Sequence, residues 1–64
     1  MNYPIKMYDT ELQCDVDVYK ISNPDCFGAH VLVWYNGDSS AENAPKDPCW
    51  LAYNIRRLKP SSNG

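Results

Sequence analysis

At 64 residues the chain makes one small domain, whose core is worth no more than a few kcal/mol net, so that natural chains of this size lean on disulfides, a metal or a partner subunit. An apolar fraction of 44%, with two Trp and five Tyr, excludes a disordered composition. A net charge of −2 argues against a nucleic-acid binder held by charge alone, and no run approaches the ~18 apolar residues of a membrane-spanning helix.

In chain order, "YPIKMY" from Tyr3 reads as a short edge strand, with Pro4 near its start as an edge permits. "ELQCDVDVYKI" alternates from residue 11. Leu12, Cys14, Val16 and Val18 fall on one face, and Glu11, Gln13, Asp15 and Asp17 on the other, the pattern of a half-buried strand. "SNPDCFG", residues 22–28, collects the residue types that turn a chain. "AHVLVWYN" follows with apolar residues on both faces, Val31, Val33 and Tyr35 against Leu32 and Trp34 with His30. Such a strand is expected to be central, to pass through a small barrel, or to meet a partner with its second face.

The Asn36–Gly37 pair resembles a hairpin tip, but no alternating apolar run follows it. It is expected instead to supply a bend with positive φ, opening a long polar loop to Pro48. A loop of that length in so small a domain tends to carry function or to move. "CWLAYNIRRLKP" then resumes alternation, with Cys49, Leu51, Tyr53 and Ile55 on one face and Trp50, Ala52, Asn54 and Arg56 on the other. A 3₁₀ turn fits near residues 53–56. Residues 1–60 are expected to form the domain and 61–64 a disordered tail.

Three cysteines, Cys14, Cys26 and Cys49, cannot close a framework of pairs, and their spacing matches no zinc pattern. Free buried thiols in a reducing compartment are expected, with one disulfide plus one thiol as the alternative. No cationic start followed by an apolar run opens the sequence, so the expected location is the cytoplasm, away from membranes. Charge is uneven along the chain. Residues 1–32 hold Lys6 and Lys20 against Asp9, Glu11, Asp15, Asp17 and Asp25, a balance of −3. Residues 33–64 hold Lys46, Arg56, Arg57 and Lys59 against Asp38, Glu42 and Asp47, a balance of +1. That asymmetry suits a charged partner or self-association.

Chemistry finds little footing. His30 is the sole histidine and stands in the most apolar strand, where a structural imidazole is the plainer reading than a general base. Glu11, Asp15 and Asp17 read as a solvated face that discourages edge pairing, a weak divalent site being the alternative. The three glycines lie far apart, so no phosphate cradle forms. Neither a catalytic site, a metal nor a cofactor is expected. "RRLK", preceded by Trp50 and Tyr53, has the Arg and aromatic mixture of a stacking platform, although its Arg residues would equally pair with Asp15 or Asp17. Trp34, Tyr35, Trp50 and Tyr53 are too many large rings for complete burial in so small a core, so some should lie at the surface, where Trp, Tyr and Arg dominate interfaces.

The order of "VLVWYNGD", a polar loop to Pro48, "CW" at 49–50, "AYNI" at 52–55 and "RRLKP" at 56–60 resembles the closing half of small SH3-like barrels, which include SH3, Tudor and retroelement-integrase C-terminal domains. The resemblance covers about residues 29–60 and implies an architecture of bent strands with a 3₁₀ turn before the last. The Ala-Leu-Tyr-Asp-Tyr opening of peptide-binding SH3 domains is absent and no Tudor-type aromatic cage is complete. Binding of proline-rich or methylated ligands therefore does not carry over.

The expectation is an all-β domain, a small, strongly bent antiparallel sheet or SH3-like barrel of 4–5 short strands. It would act by binding another protein, with a homodimer compatible, through Trp34, Tyr35, Asp38, Trp50, Tyr53, Arg56 and Arg57. An accessory or inhibitor protein of a phage or mobile gene cassette fits its size. The competing expectation is a nucleic-acid-binding barrel using Trp50, Tyr53, Arg56 and Arg57.

Overall fold

The computed structural model describes residues 2–22 and 28–61. Five antiparallel strands form one sheet: β1 (Ile5–Asp9), β2 (Cys14–Ile21), β3 (His30–Tyr35), β4 (Cys49–Asn54) and β5 (Leu58–Pro60), with a 3₁₀ turn, η1 (Ile55–Arg57), between the last two. The strand order is β4-β3-β2-β1-β5. The expected all-β class therefore holds, and among the described residues no helix is long and apolar enough to cross a membrane.

Alternation explains the packing. Val16, Val18, Val31, Val33 and Tyr35 point inward and are buried, joined by Leu12, Ala44 and Leu58. Leu51 of one edge strand and Ile55 beside the other pack against the same cluster, so the sheet bends around one core. The bend has a local cause in β2, where the register with β3 shifts between Val18 and Lys20. A bulge there increases twist.

Three expectations need correction. β1 is an interior strand, bonded to β2 and β5, so Pro4 precedes the ladder and does not mark an edge. β2 begins at Cys14 rather than residue 11, because residues 10–13 turn tightly, with Gln13 at φ 58° and its N–H donating to Asp9 O at 2.8 Å. β3 is buried on one face only: His30 and Leu32 are exposed and Trp34 is partly covered. The 3₁₀ turn expected near residues 53–56 is present, as Ile55–Arg57. Asn54 caps it by accepting from the Arg56 N–H at 2.8 Å.

The loop over residues 36–48 is strapped across the core. Gly37 takes φ 78°, as the bend requires. The Tyr35 hydroxyl donates to Pro45 O at 2.9 Å and accepts from the Ser39 N–H at 3.2 Å. The Ser39 hydroxyl donates to Leu12 O, and Ala44 is buried. A buried phenol thus organises the loop from beneath. The turn expected at 22–28 lies mostly outside the described residues, as do Cys26 and residues 62–64 of the expected tail. Ser61 is held by donating to Asp15 Oδ2 at 3.2 Å.

Candidate functional site

The strand registers sort the expected site residues onto two faces. Asp17, Trp34 and Trp50 are cross-strand neighbours in one row, and Lys20, Leu32 and Ala52 form the next. These rows lie on the outer face of β2, β3 and β4. Trp50 is 53% exposed, and its ring meets Trp34 edge-on at 5.1 Å and Tyr19 edge-on at 5.3 Å between centroids. T-shaped contacts of this kind hold rings in place by matching positive edge to negative face. Tyr19 and Leu32 are themselves exposed, so the cluster forms an apolar surface with Lys20 and Asp17 beside it.

Tyr19 was not among the expected site residues. A signal existed: it continues the solvent-facing series Asp15, Asp17 by the same two-residue step. What the sequence did not carry was its neighbour, since Tyr19 meets Trp50 across β3 only in this register.

Tyr35 and Tyr53 face the other way. Tyr35 is completely buried, and Tyr53 packs against the core. Asp38 is exposed in the loop, and Arg56 is exposed on η1. The expected set is therefore divided: Trp34 and Trp50 stand together, while Tyr35, Tyr53 and Arg57 belong to the interior and its border.

Arg57 closes a second, polar arrangement. Asp9, at 0% exposure, accepts from Arg57 Nε at 3.0 Å on both oxygens, and from the N–H groups of Glu11 and Leu12 at 2.8 Å. Arg57 also lies 3.6 Å from Glu11 Oε2 and stacks over the Tyr53 ring at 4.2 Å. The partners expected for the Arg residues, Asp15 and Asp17, are instead on the outer face, away from η1. Burial works to raise the Asp9 pKa, but the hydrogen bonds from Arg57 and Leu12, the nearby Tyr53 hydroxyl and the guanidinium charge outweigh it and hold the carboxyl below its usual value. Burial first, then Asp9, pushes the Tyr53 hydroxyl up. That hydroxyl is buried beside the carboxylate without the geometry of a full hydrogen bond.

This arrangement has the chemistry of a latch. Its carboxylate accepts from three donors, its cation is paired, and its phenol is held protonated. Between the 10–13 turn and the long loop lies an open groove of about 660 Å³, floored by Leu12, Ala44 and Leu51 and rimmed by Glu11 and Glu42. Among the described residues no three His, Cys, Asp or Glu side chains converge as metal ligands. Cys14 and Cys49 are free and half-buried. Burial, then the Asp38 and Asp9 charges, raises the Cys14 thiol pKa, which disfavours a nucleophilic thiolate.

In comparisons with known proteins, no family model, no curated protein and no solved structure matches this chain.

Proposed function

We propose that the chain is a non-catalytic protein-binding module whose contact surface is the outer face around Tyr19, Trp34 and Trp50. One observation carries the reading: Trp50 is half in water, yet held edge-on by two other rings. An exposed indole forgoes apolar burial that a partner would supply. Because neighbouring rings already restrict it, little rotamer freedom is lost on docking. Trp and Tyr in such a setting are the residue types that dominate binding energy. Leu32 and Ala52 extend the apolar area, and Lys20 and Asp17 offer a polar rim.

The architecture supports an SH3-like reading through three features. They are the strand order β4-β3-β2-β1-β5, the bulge in β2, and the 3₁₀ turn before the last strand. A role as a cytoplasmic accessory or inhibitor protein, of the kind phages and gene cassettes encode, suits the size. Nucleic-acid binding has less support. It needs Trp50, Tyr53, Arg56 and Arg57 on one surface, whereas Tyr53 packs inward and Arg57 is paired with Asp9.

The test compares the immobilised chain with its Trp50→Ser variant in nuclease-treated extract of the native host, followed by titration of any retained protein in purified form. Trp50 is exposed, so the variant should stay folded, losing about 1–2 kcal/mol from the two ring contacts. A purified partner bound by the parent and weakened at least about tenfold by the substitution supports the reading. Equal affinity for both chains, or retention seen only before nuclease treatment, overturns it.

A further inference from the structure

The two edges of the sheet are built differently. β5 is three residues long and carries Lys59 and Pro60, a cation and a residue without an N–H. Both are devices that blunt an edge against pairing. β4 is six residues long, CWLAYN, with no charge and no proline.

Backbone parity shows what that edge offers. The Ile55 N–H donates to Ala29 O at 2.8 Å, so the ladder bonds between β3 and β4 fall at 31/53, 33/51 and 35/49. The N–H and C=O groups of Trp50 and Ala52 therefore point away from β3. Among the described residues no backbone group outside the ladder bonds to them. Both side chains lie exposed on the outer face.

We propose that β4 pairs antiparallel with β4 of a second copy of this chain, about a two-fold axis passing between the two Leu51 residues. In that register each Trp50 stands opposite Ala52 of the other copy, and the outward N–H and C=O groups of these two residues in both chains are satisfied by four inter-chain hydrogen bonds. An indole is set beside a methyl group, large against small, which leaves the rings room. Shifting the axis to Ala52 sets Trp50 opposite Asn54, whose side chain is engaged with Gly28 O and the Arg56 N–H. Shifting it to Trp50 sets Ala52 opposite Pro48, which has no N–H.

The pairing of Trp50 with Ala52 about Leu51 is self-complementary, which favours a copy, and charge disfavours a charged foreign strand. An edge shaped for a charged peptide would carry opposite charge beside it, and these six residues carry none. A two-fold contact between uncharged strands opposes no like charges. Strand pairing of this length is small against the roughly 1,200–2,000 Å² of a stable interface, so the dimer is reversible and depends on concentration. The contact goes beyond the outer-face reading, because it uses backbone groups. A strict monomer can still bind a partner through its aromatic face.

Sedimentation velocity of the full chain over two decades of concentration, with amide exchange at Trp50 and Ala52, tests the pairing. The expected result is a shift from one to two 7.3 kDa chains, with exchange at both amides slowed at least about tenfold at high concentration. Ala52→Glu, on the exposed face, should abolish both effects with its thermal midpoint at low concentration unchanged. Ala52→Pro removes an N–H that β3 does not use, and serves as the second variant should the first perturb folding. A monomer throughout, a dimer whose edge amides exchange as fast as in the monomer, unimpaired pairing by both variants, or protection only by an unrelated peptide would each overturn the proposal.

Discussion

Arg57 Nε lies 3.0 Å from both carboxylate oxygens of Asp9, joining the end of β1 to the 3₁₀ turn 48 residues later. Thr10 reinforces the joint: its N–H and hydroxyl both donate to Arg57 O, at 3.1 and 2.6 Å. β5 is only three residues long, so this joint adds to its short ladder with β1 and to the burial of Leu58 in holding it there.

Removing the buried partner of such a pair costs about 3–5 kcal/mol, as much as the whole net stability expected of a domain this size. Asp9→Ala is therefore expected to be unfolded at room temperature by circular dichroism. Asp9→Asn keeps an acceptor oxygen and should fold, with a urea midpoint lowered by the equivalent of about 1.5–3 kcal/mol.

Acid should act through the same carboxyl. Its folded pKa lies below the unfolded value, so its contribution is present above about pH 4 and is lost as pH falls through the folded pKa. Stability followed by urea titration should drop below that point in the parent. The drop should be shallower in Asp9→Asn, and a parallel acid limb in the two proteins would refute the assignment.

Tyr53 predicts the alkaline limb. Its hydroxyl pKa is raised by burial and by Asp9, so its contribution is full below the unfolded value near 10 and declines as pH rises beyond it. Tyr53→Phe deletes a buried hydroxyl without a full hydrogen bond, so at neutral pH stability should change by no more than about 1 kcal/mol. Above about pH 10 the variant should lose less than the parent. A large loss at neutral pH would show that the hydroxyl is a necessary bond to Asp9.

Tyr35→Phe removes the donor to Pro45 O and the acceptor for the Ser39 N–H while keeping the buried ring. A cost of about 1–2 kcal/mol is expected, with faster amide exchange concentrated at Ser39 and its loop neighbours. Uniform acceleration across the sheet would mean that the phenol supports the core in general, and not the strap.

Gly37→Ala tests the bend. The added Cβ would stand 3.0 Å from Pro48 N and Cδ, on a residue with φ 78°. A loss of about 1–3 kcal/mol is expected by thermal melting, and an unchanged midpoint would contradict the left-handed geometry.

Sequence alone determined the period-two alternation, and with it the all-β class, the inward set Val16, Val18, Val31, Val33, and the positive φ at Gly37. These are local properties: successive side chains in a strand must alternate, and only glycine turns left without strain. It also set Trp34 opposite in face to Val33, and Trp50 to Leu51, but did not say which face meets water. Register and curvature were decided by tertiary structure. Tyr35 and Tyr53 share residue type with the exposed rings, but their parity faces them inward, where the bent sheet gives each ring a core to enter. Asp9 and Arg57 read as ordinary surface charges in the chain, and become a buried pair only because β5 returns alongside β1. Tyr19 joins Trp50 because β3 seats their strands on either side of Trp34. Long-range pairing of this kind depends on which strands are neighbours, a relation that no local window of sequence contains.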